Sequence, residues 1–559
     1  MRVSQPLLGG GSRSVCSLSL SPARQASLVS LLRLRSLAAA AALSVTLYAL
    51  ISLLYEPRCQ DCDIRVDGTR RNEGRLRIPN MDPRAGEARG PQPFKRRLLH
   101  LDMKGAPPRV AHLRRLMPVF ADLGVTGILI EWEDTFPYDE ELAVLRAPYA
   151  YSKKDVREIV VSANASGLEV IPLVQTFGHL EFVLKQPAFA TLRERPSEDS
   201  SICPSKNASR ALITSMIQQI YALHPESLRI HIGADEAYYV GEDEDCRKMM
   251  EEQMENRQPT QLDDGIERLK LDHIARTART AREIGFTEVL VWNDMFGEAA
   301  VDLIREAGLG RLVTPVVWGY AVDVTRDGYF PPGLFERLSQ VFPRIWFASA
   351  FKGANGQSNP FLSIERYLAN QQSYVTLYRL FEKELSGKME GMIVTGWSRF
   401  SHHKPLCELL PVGLPSAAVC LAFLADVSAT PKKTTALAKS LLNCPSSPSA
   451  SIHKPRQFLT EIFYPSKEQL FTECAFPGSD IFTMVQELRF LAWKSHRALL
   501  APEYHEEVNR EVNEIEEKLR PALSSIFFNE TVNEFIDYHV RSLYLRNVTT
   551  QTSSTWQTW

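Results

Sequence analysis

Cysteine is scarce in this chain: nine residues in 559, an odd number spread too thinly for a disulfide scaffold. Only Cys59 and Cys62 fall in a CxxC pattern. With no second pair and no zinc-spaced histidines beside them, a structural zinc has no support, and a local or inter-chain disulfide stays open. No GxGxxG fingerprint follows the first strand-like run, which removes the case for a dinucleotide site. Excess charge of either sign is missing too. Charged residues make up 23% and the net charge is -2, so nothing points to nucleic acid or to a polyacidic tail. No metal ion and no cofactor is expected.

Acidic residues are absent from the first 35 positions, which carry five arginines: Arg2, Arg13, Arg24, Arg33 and Arg35. An uncharged run of 20 residues follows, Ser36 to Tyr55. That length spans a bilayer core as a helix, and the arginines before it put the N-terminus in the cytosol. The expectation is a single-pass type II membrane protein of the secretory pathway, Golgi first, with its bulk lumenal. A cleaved signal peptide and a mitochondrial leader are the rival readings. Sequons at Asn164, Asn207, Asn529 and Asn547 are compatible with lumenal glycosylation. The domain reading is a cytosolic tail over 1–35, an anchor over 36–55 and a disordered stem over 56–94. A folded barrel over 95–425, a linker over 426–456 and a C-terminal helical region over 457–559 complete it.

Within 95–425, strand-like runs alternate with helix-like segments. The strands are expected at 97–102, 127–132, 168–176, 228–235, 288–294, 312–318, 344–348 and 392–397. Eight such alternations in one stretch predict an α/β fold, the (β/α)8 barrel, with a doubly wound open sheet as the alternative. A barrel places its functional groups at the carboxyl ends of its strands. Those ends hold Asp102 and Lys104, then Glu131-Trp132-Glu133-Asp134, then Gln175 to His179, then Asp235-Glu236. Trp292-Asn293-Asp294, Trp318-Gly319-Tyr320 and Trp397-Ser398-Arg399 follow. Aromatic rings cover the apolar face of a pyranose while acids bind its hydroxyls, so the set points to a sugar site. An acidic stretch after the fourth strand, 241–264, reads as a solvated loop.

The central stretch is Leu228 to Ala237. Leu228, Ile230 and Ile232 alternate as a strand does, and the run ends in Gly233 and two adjacent acids. Neighbouring acids are expected to raise each other's proton affinity, which suits a general acid.

His231-Ile-Gly-Ala-Asp-Glu236 is similar to the His-Ile-Gly-Gly-Asp-Glu signature of family 20 glycoside hydrolases, the β-N-acetylhexosaminidases. The stretches LDMKGAPP, Glu133 to Tyr138, VIPLVQTFGHLEFVLK and CELLPVGLPS extend the resemblance over about Leu98 to Phe423. It implies an exo-hydrolase of terminal β-linked GalNAc or GlcNAc, acting by substrate-assisted retention, with a glycan or glycoconjugate as its partner. Glu236 would be the general acid and base, and Asp235 would orient the acetamido group. Lys104, Asp134, His179, Trp292, Asp294, Trp318, Tyr320 and Trp397 would bind substrate. Of these, Asp134 and His179 would form a pair behind Glu236, and Tyr320 would bond the acetamido oxygen. Two positions depart from the family pattern: Lys104 stands in place of an arginine and Arg399 in place of a glutamate. The domain that usually precedes the barrel is missing. A non-catalytic, lectin-like barrel binding N-acetylhexosamine is the alternative, and a homodimer is left open.

Overall fold

The structure, a computed structural model, describes residues 93–255, 262–445 and 467–545. The anchor at 36–55, nearly all of the stem, the Cys59/Cys62 pair, part of the linker and Asn547 lie outside the described residues. Among the described residues no helix is long and apolar enough to cross a membrane.

Eight parallel strands close into a barrel: β1 Arg96–Asp102, β2 Gly127–Glu131, β3 Glu169–Leu173, β4 Arg229–His231, β5 Glu288–Trp292, β6 Thr314–Trp318, β7 Ile345–Lys352 and β8 Met389–Gly396. β1 pairs with β8, with Arg96 opposite Gly391, so no edge is left open. The major helices on the outside are α1 Val110–Asp122, α2 Lys153–Ala165, α3 Asn207–Leu223, α4 Glu244–Glu255, α5 Leu262–Ile284, α6 Val301–Glu306, α7 Leu334–Val341, α8 Ile364–Leu380 and α9 Leu410–Ala425.

Side-chain alternation explains both layers and positions the site. In β1, Leu99 and Leu101 join the large core beneath the helices, while Leu98 joins a separate cluster inside the barrel. Leu129, Ile171, Leu173, Leu290, Trp292, Val316, Trp346, Ala348 and Ile393 fill that interior with it. Two or four residues further along the same inward phases stand Asp102, Glu131, Gln175, Asp294, Tyr320 and Trp397. A period of two that packs apolar side chains lower down delivers polar and aromatic ones at the carboxyl rim.

The opposite rim is closed by charge. Glu169 joins Arg96 to Arg229, and Glu288 joins Arg229 to Arg344, an ion chain that links the starts of β1, β3, β4, β5 and β7. They lie at the end of the barrel that serves stability.

Beyond α9, α10 Pro431–Leu441 forms where a Ser/Pro-rich linker is expected; Thr430 caps it by accepting from the Lys433 N–H. α11 Ser479–Ala498 and α12 His505–Ile526 pack together, and α13 Asn529–Phe535 follows. This region touches the barrel at the loop after β1, where the Arg109 N–H donates to the Ile526 carbonyl at 2.6 Å.

Two disulfides escaped the sequence reading, Cys203–Cys246 and Cys444–Cys474. Cys246 lies on α4, so the acidic stretch after β4 is partly a helix pinned to the barrel rather than a free loop.

Candidate active site

A cavity of about 260 Å³ opens at the carboxyl rim of the barrel, lined among others by Lys104, Glu131, His179, Asp235, Glu236, Trp292, Trp318, Tyr320 and Trp397. That is just below the roughly 300 Å³ at which drug-sized pockets begin, and its aromatic part suits one sugar ring. Trp292 and Trp397 lie 6.3 Å apart between ring centres, Tyr320 stands edge-on to Trp397 at 6.1 Å, and Trp318 leans on Tyr320 at 5.4 Å. They form a cup of flat apolar faces with acids at its side.

The acids are held by an unusual backbone. Gly233, Ala234 and Glu236 all have positive φ (60, 63 and 47), as do His179 (53) and Glu133 (44). Alanine and glutamate rarely adopt this region, and such strain concentrates at functional sites. It also explains why β4 ends at His231, short of the expected 228–235. The chain must leave the extended form to turn both acids toward one cavity. Gly178 is what lets this loop sit where it does, because a Cβ there would lie 2.0 Å from the Asp235 carbonyl oxygen. Gly178→Ala is therefore expected to displace Asp235 and Glu236 together. We expect activity to fall about tenfold, part of the about 10²-fold that a 1 Å misplacement costs. Unchanged kinetics in a folded Gly178→Ala protein would show that the loop tolerates the shift.

His179 Nε2 lies 3.1 Å from Glu236 Oε2 and 3.4 Å from Asp235 Oδ2. Asp294 accepts from the Glu236 backbone N–H at 2.8 Å and from Trp318 Nε1 at 3.0 Å. The proton affinities follow from these contacts. Burial raises Glu236, but hydrogen bonds from His179 and Tyr238 and the His179 charge outweigh it, leaving the carboxyl below its ordinary value. The expected mutual rise of the two neighbouring acids is thus absent at Glu236. Asp294 rises instead, to about 7, through burial and the Asp235 charge. Burial opposes the charge on His179, yet Asp235, Glu236 and Glu181 together hold its pKa well above the usual value. Its pairing therefore stabilises the fold fully below about 6.5, the unfolded value, and that stability is lost as pH rises through the folded value.

The expected Asp134–His179 pair is not formed. Asp134 faces His402 Nδ1 at 3.8 Å and Lys185 Nζ at 4.0 Å, while His179 is taken by the two acids. The cause is the left-handed turn at His179, which swings the ring toward the end of β4. Lys104 does line the cavity, its Nζ 3.1 Å from Glu133 Oε1 and 3.9 Å from Asp102 Oδ2. Those carboxylates overcome the burial penalty and push its pKa well above the ordinary value. Trp132, although at a strand end, points away into the core and donates to His224 Nε2 at 3.2 Å. His402, which pairs with Glu133, was not singled out by the sequence; nothing in its spacing marks it.

Polar atoms of these residues without a partner in the protein include Asp235 Oδ1 and Trp292 Nε1. Buried polar groups are normally satisfied, so these orphans are the hydrogen-bonding capacity a ligand would use. Asn164, Asn207 and Asn529 are all exposed, each at a helix.

Residues 136–312 match the catalytic domain of glycosyl hydrolase family 20. The chain is 43% identical over 338 residues to hexosaminidase D of Homo sapiens, covering 60% of this chain and 66% of that protein. It belongs to glycosyl hydrolase family 20, a class of glycoside hydrolases. Hexosaminidase D of Bos taurus is 42% identical over 327 residues, 58% of this chain and 90% of that protein. In three dimensions a chitobiase from Flavobacterium johnsoniae aligns at a TM-score of 0.47 and 13% identity, over 80% of this chain and 70% of that one.

Proposed function

We propose that this glycoside hydrolase is an exo-acting β-N-acetylhexosaminidase that removes terminal β-linked GalNAc or GlcNAc with the help of the substrate's own acetamido group. The observation that carries the reading is the placement of Asp235 and Glu236 on one strained turn beside a one-sugar aromatic cup. In this reading the acetamido oxygen attacks the anomeric carbon and the glycosidic C–O bond breaks. Glu236 gives its proton to the departing oxygen and then takes one from the attacking water. Asp235 holds the acetamido N–H and balances the positive charge of the cyclic intermediate. Neither acid has to be the nucleophile, which is why neighbours in sequence suffice. Trp292, Trp318 and Trp397 cover the ring, Tyr320 bonds the acetamido oxygen, and Lys104 meets polar groups at the side, while Asp294, which does not line the cavity, braces Glu236 and Trp318 rather than the sugar.

His179 tunes the acid. Removing its charge in His179→Gln should raise the Glu236 pKa and move the basic limb of kcat/KM, set by loss of the Glu236 proton, up by about one pH unit. A limb that stays in place in this variant would mean another group limits the rate. Release of chromophore from aryl N-acetyl-β-galactosaminide and N-acetyl-β-glucosaminide by the full chain tests the activity itself. Turnover supports the hydrolase and its ratio fixes the sugar preference. Binding of N-acetylhexosamine without turnover from acid to neutral pH would favour a lectin-like barrel.

The lumenal, membrane-anchored placement is part of the same reading. It is supported by the uncharged run 36–55 behind five arginines, and by two disulfides, which suit an oxidising compartment. The expected result is a protein that stays with membranes in alkaline carbonate and drops in mass on removal of N-glycans. A carbonate-soluble, unglycosylated protein would overturn it.

A further inference from the structure

Phe400 is half exposed, at 54%, and it lines the same cavity as Asp235 and Glu236. A lone exposed phenylalanine needs no explanation. What sets this one apart is the loop that presents it. Arg399 and Leu406 bridge to each other across the turn, and both ends of the turn are tied to α13 of the C-terminal region. Glu534 accepts from Arg399 Nη2 at 2.6 Å and from the Leu406 N–H at 3.2 Å. His539 Nε2 reaches the Leu406 carbonyl at 2.7 Å. The Arg399 guanidinium also lies against Gly105, where a Cβ would sit 1.9 Å from Nη2, and Thr531 of α13 donates to the Gly105 carbonyl at 2.8 Å. On its other side the loop meets the one after β7, Cys407 Sγ lying 3.6 Å from the Gly356 carbonyl, and Gly356 and Gln357 line the cavity too.

An apolar ring is thus held at the rim of the pocket by a part-buried ion pair reaching from outside the barrel. The four aromatics of the cup account for the sugar being removed. Phe400 is half exposed where Trp292 is buried, which puts it on the solvent side of the cavity, where the other half of a glycoside has to lie.

Resting on the hydrolase reading above, we propose that Phe400 is the platform for the leaving residue of the substrate. It takes a ring with a flat apolar face, pyranose or aryl, β-linked to the N-acetylhexosamine. Glu534 is the positioning residue that holds it, acting through Arg399 and the Leu406 N–H. The C-terminal helices therefore complete the substrate site although they contribute no group to the chemistry.

The test compares three substrates of the full chain that share the N-acetylhexosamine: a β-linked disaccharide, an aryl glycoside and a glycosyl azide, whose leaving group has no ring. Phe400→Ala should lower kcat/KM for the first two relative to the azide by about 5–10-fold, chiefly through KM, as expected for one lost ring contact. Phe400→Trp should restore the ratio, and Glu534→Gln should reproduce the loss with Phe400 intact. An equal loss on all three substrates, or none, would overturn the platform. A normal ratio in Glu534→Gln would overturn the positioning role. If the wild type cleaves none of the three, the hydrolase reading falls on its own. The platform is then read from melting temperature: Phe400→Ala must shrink the added stabilisation that the disaccharide gives over free N-acetylhexosamine, and an unaltered difference would refute it.

Discussion

Glu236→Gln is expected to lower kcat/KM by about 10²-fold or more, the scale of a lost general acid. The amide keeps the size of the side chain and can stay beside His179, so the left-handed turn that carries it has no reason to collapse. What it loses is the proton for the departing oxygen. The loss should therefore depend on the leaving group: smallest for a dinitrophenyl glycoside, which departs unaided, and largest for an alkyl or sugar one. Measured across such a series, a loss that is the same for every leaving group would remove Glu236 from the role of acid.

Asp235→Asn should cost a similar amount, about 10²–10³-fold, for a different reason. Asp235 is buried, one of its oxygens faces His179 at 3.4 Å, and the other has no partner in the protein. Asparagine can still accept the acetamido N–H through its carbonyl, so ground-state binding suffers less than the charged intermediate does. The expected pattern is a collapse of kcat with a smaller change in KM. A second signature comes from Asp294, whose rise to about 7 has burial as its first cause and the Asp235 charge as its next. Neutralising Asp235 should bring the pH-rate transition of Asp294 down toward the ordinary carboxylate range. A variant that loses only affinity would show that Asp235 binds substrate without stabilising the charge.

The barrel was legible because its strands repeat one pattern: two phases, both largely apolar along the body, with charged and polar groups gathered at the two ends. Leu98, His100 and Asp102 show it within a single strand. The aromatic cup followed from the same rule. Glu236 and Asp235 were legible from local sequence, since they are adjacent. Their proton affinities were not, because the deciding partner, His179, sits 57 residues away from Glu236 and reaches it only through a turn with positive φ. The Asp134–His179 pairing failed for the same reason: resemblance supplied the two residue types, but the side chains' directions depend on backbone torsion. Thr430-Pro431 was a readable helix start, a cap followed by proline, hidden by the Ser/Pro-rich composition around it. The disulfides join cysteines 43 and 30 residues apart, and Glu534 meets Arg399 across 135; no local pattern encodes such distances.

The central claim is that the substrate's own acetamido group is the nucleophile. It is tested most directly by offering the full chain two aryl β-glycosides that differ only at carbon 2, one with an acetamido group and one with a hydroxyl. The account predicts rapid release from the first and none above background from the second, since it gives neither Asp235 nor Glu236 the role of nucleophile. Comparable release from both would contradict it and assign the attack to a group of the enzyme.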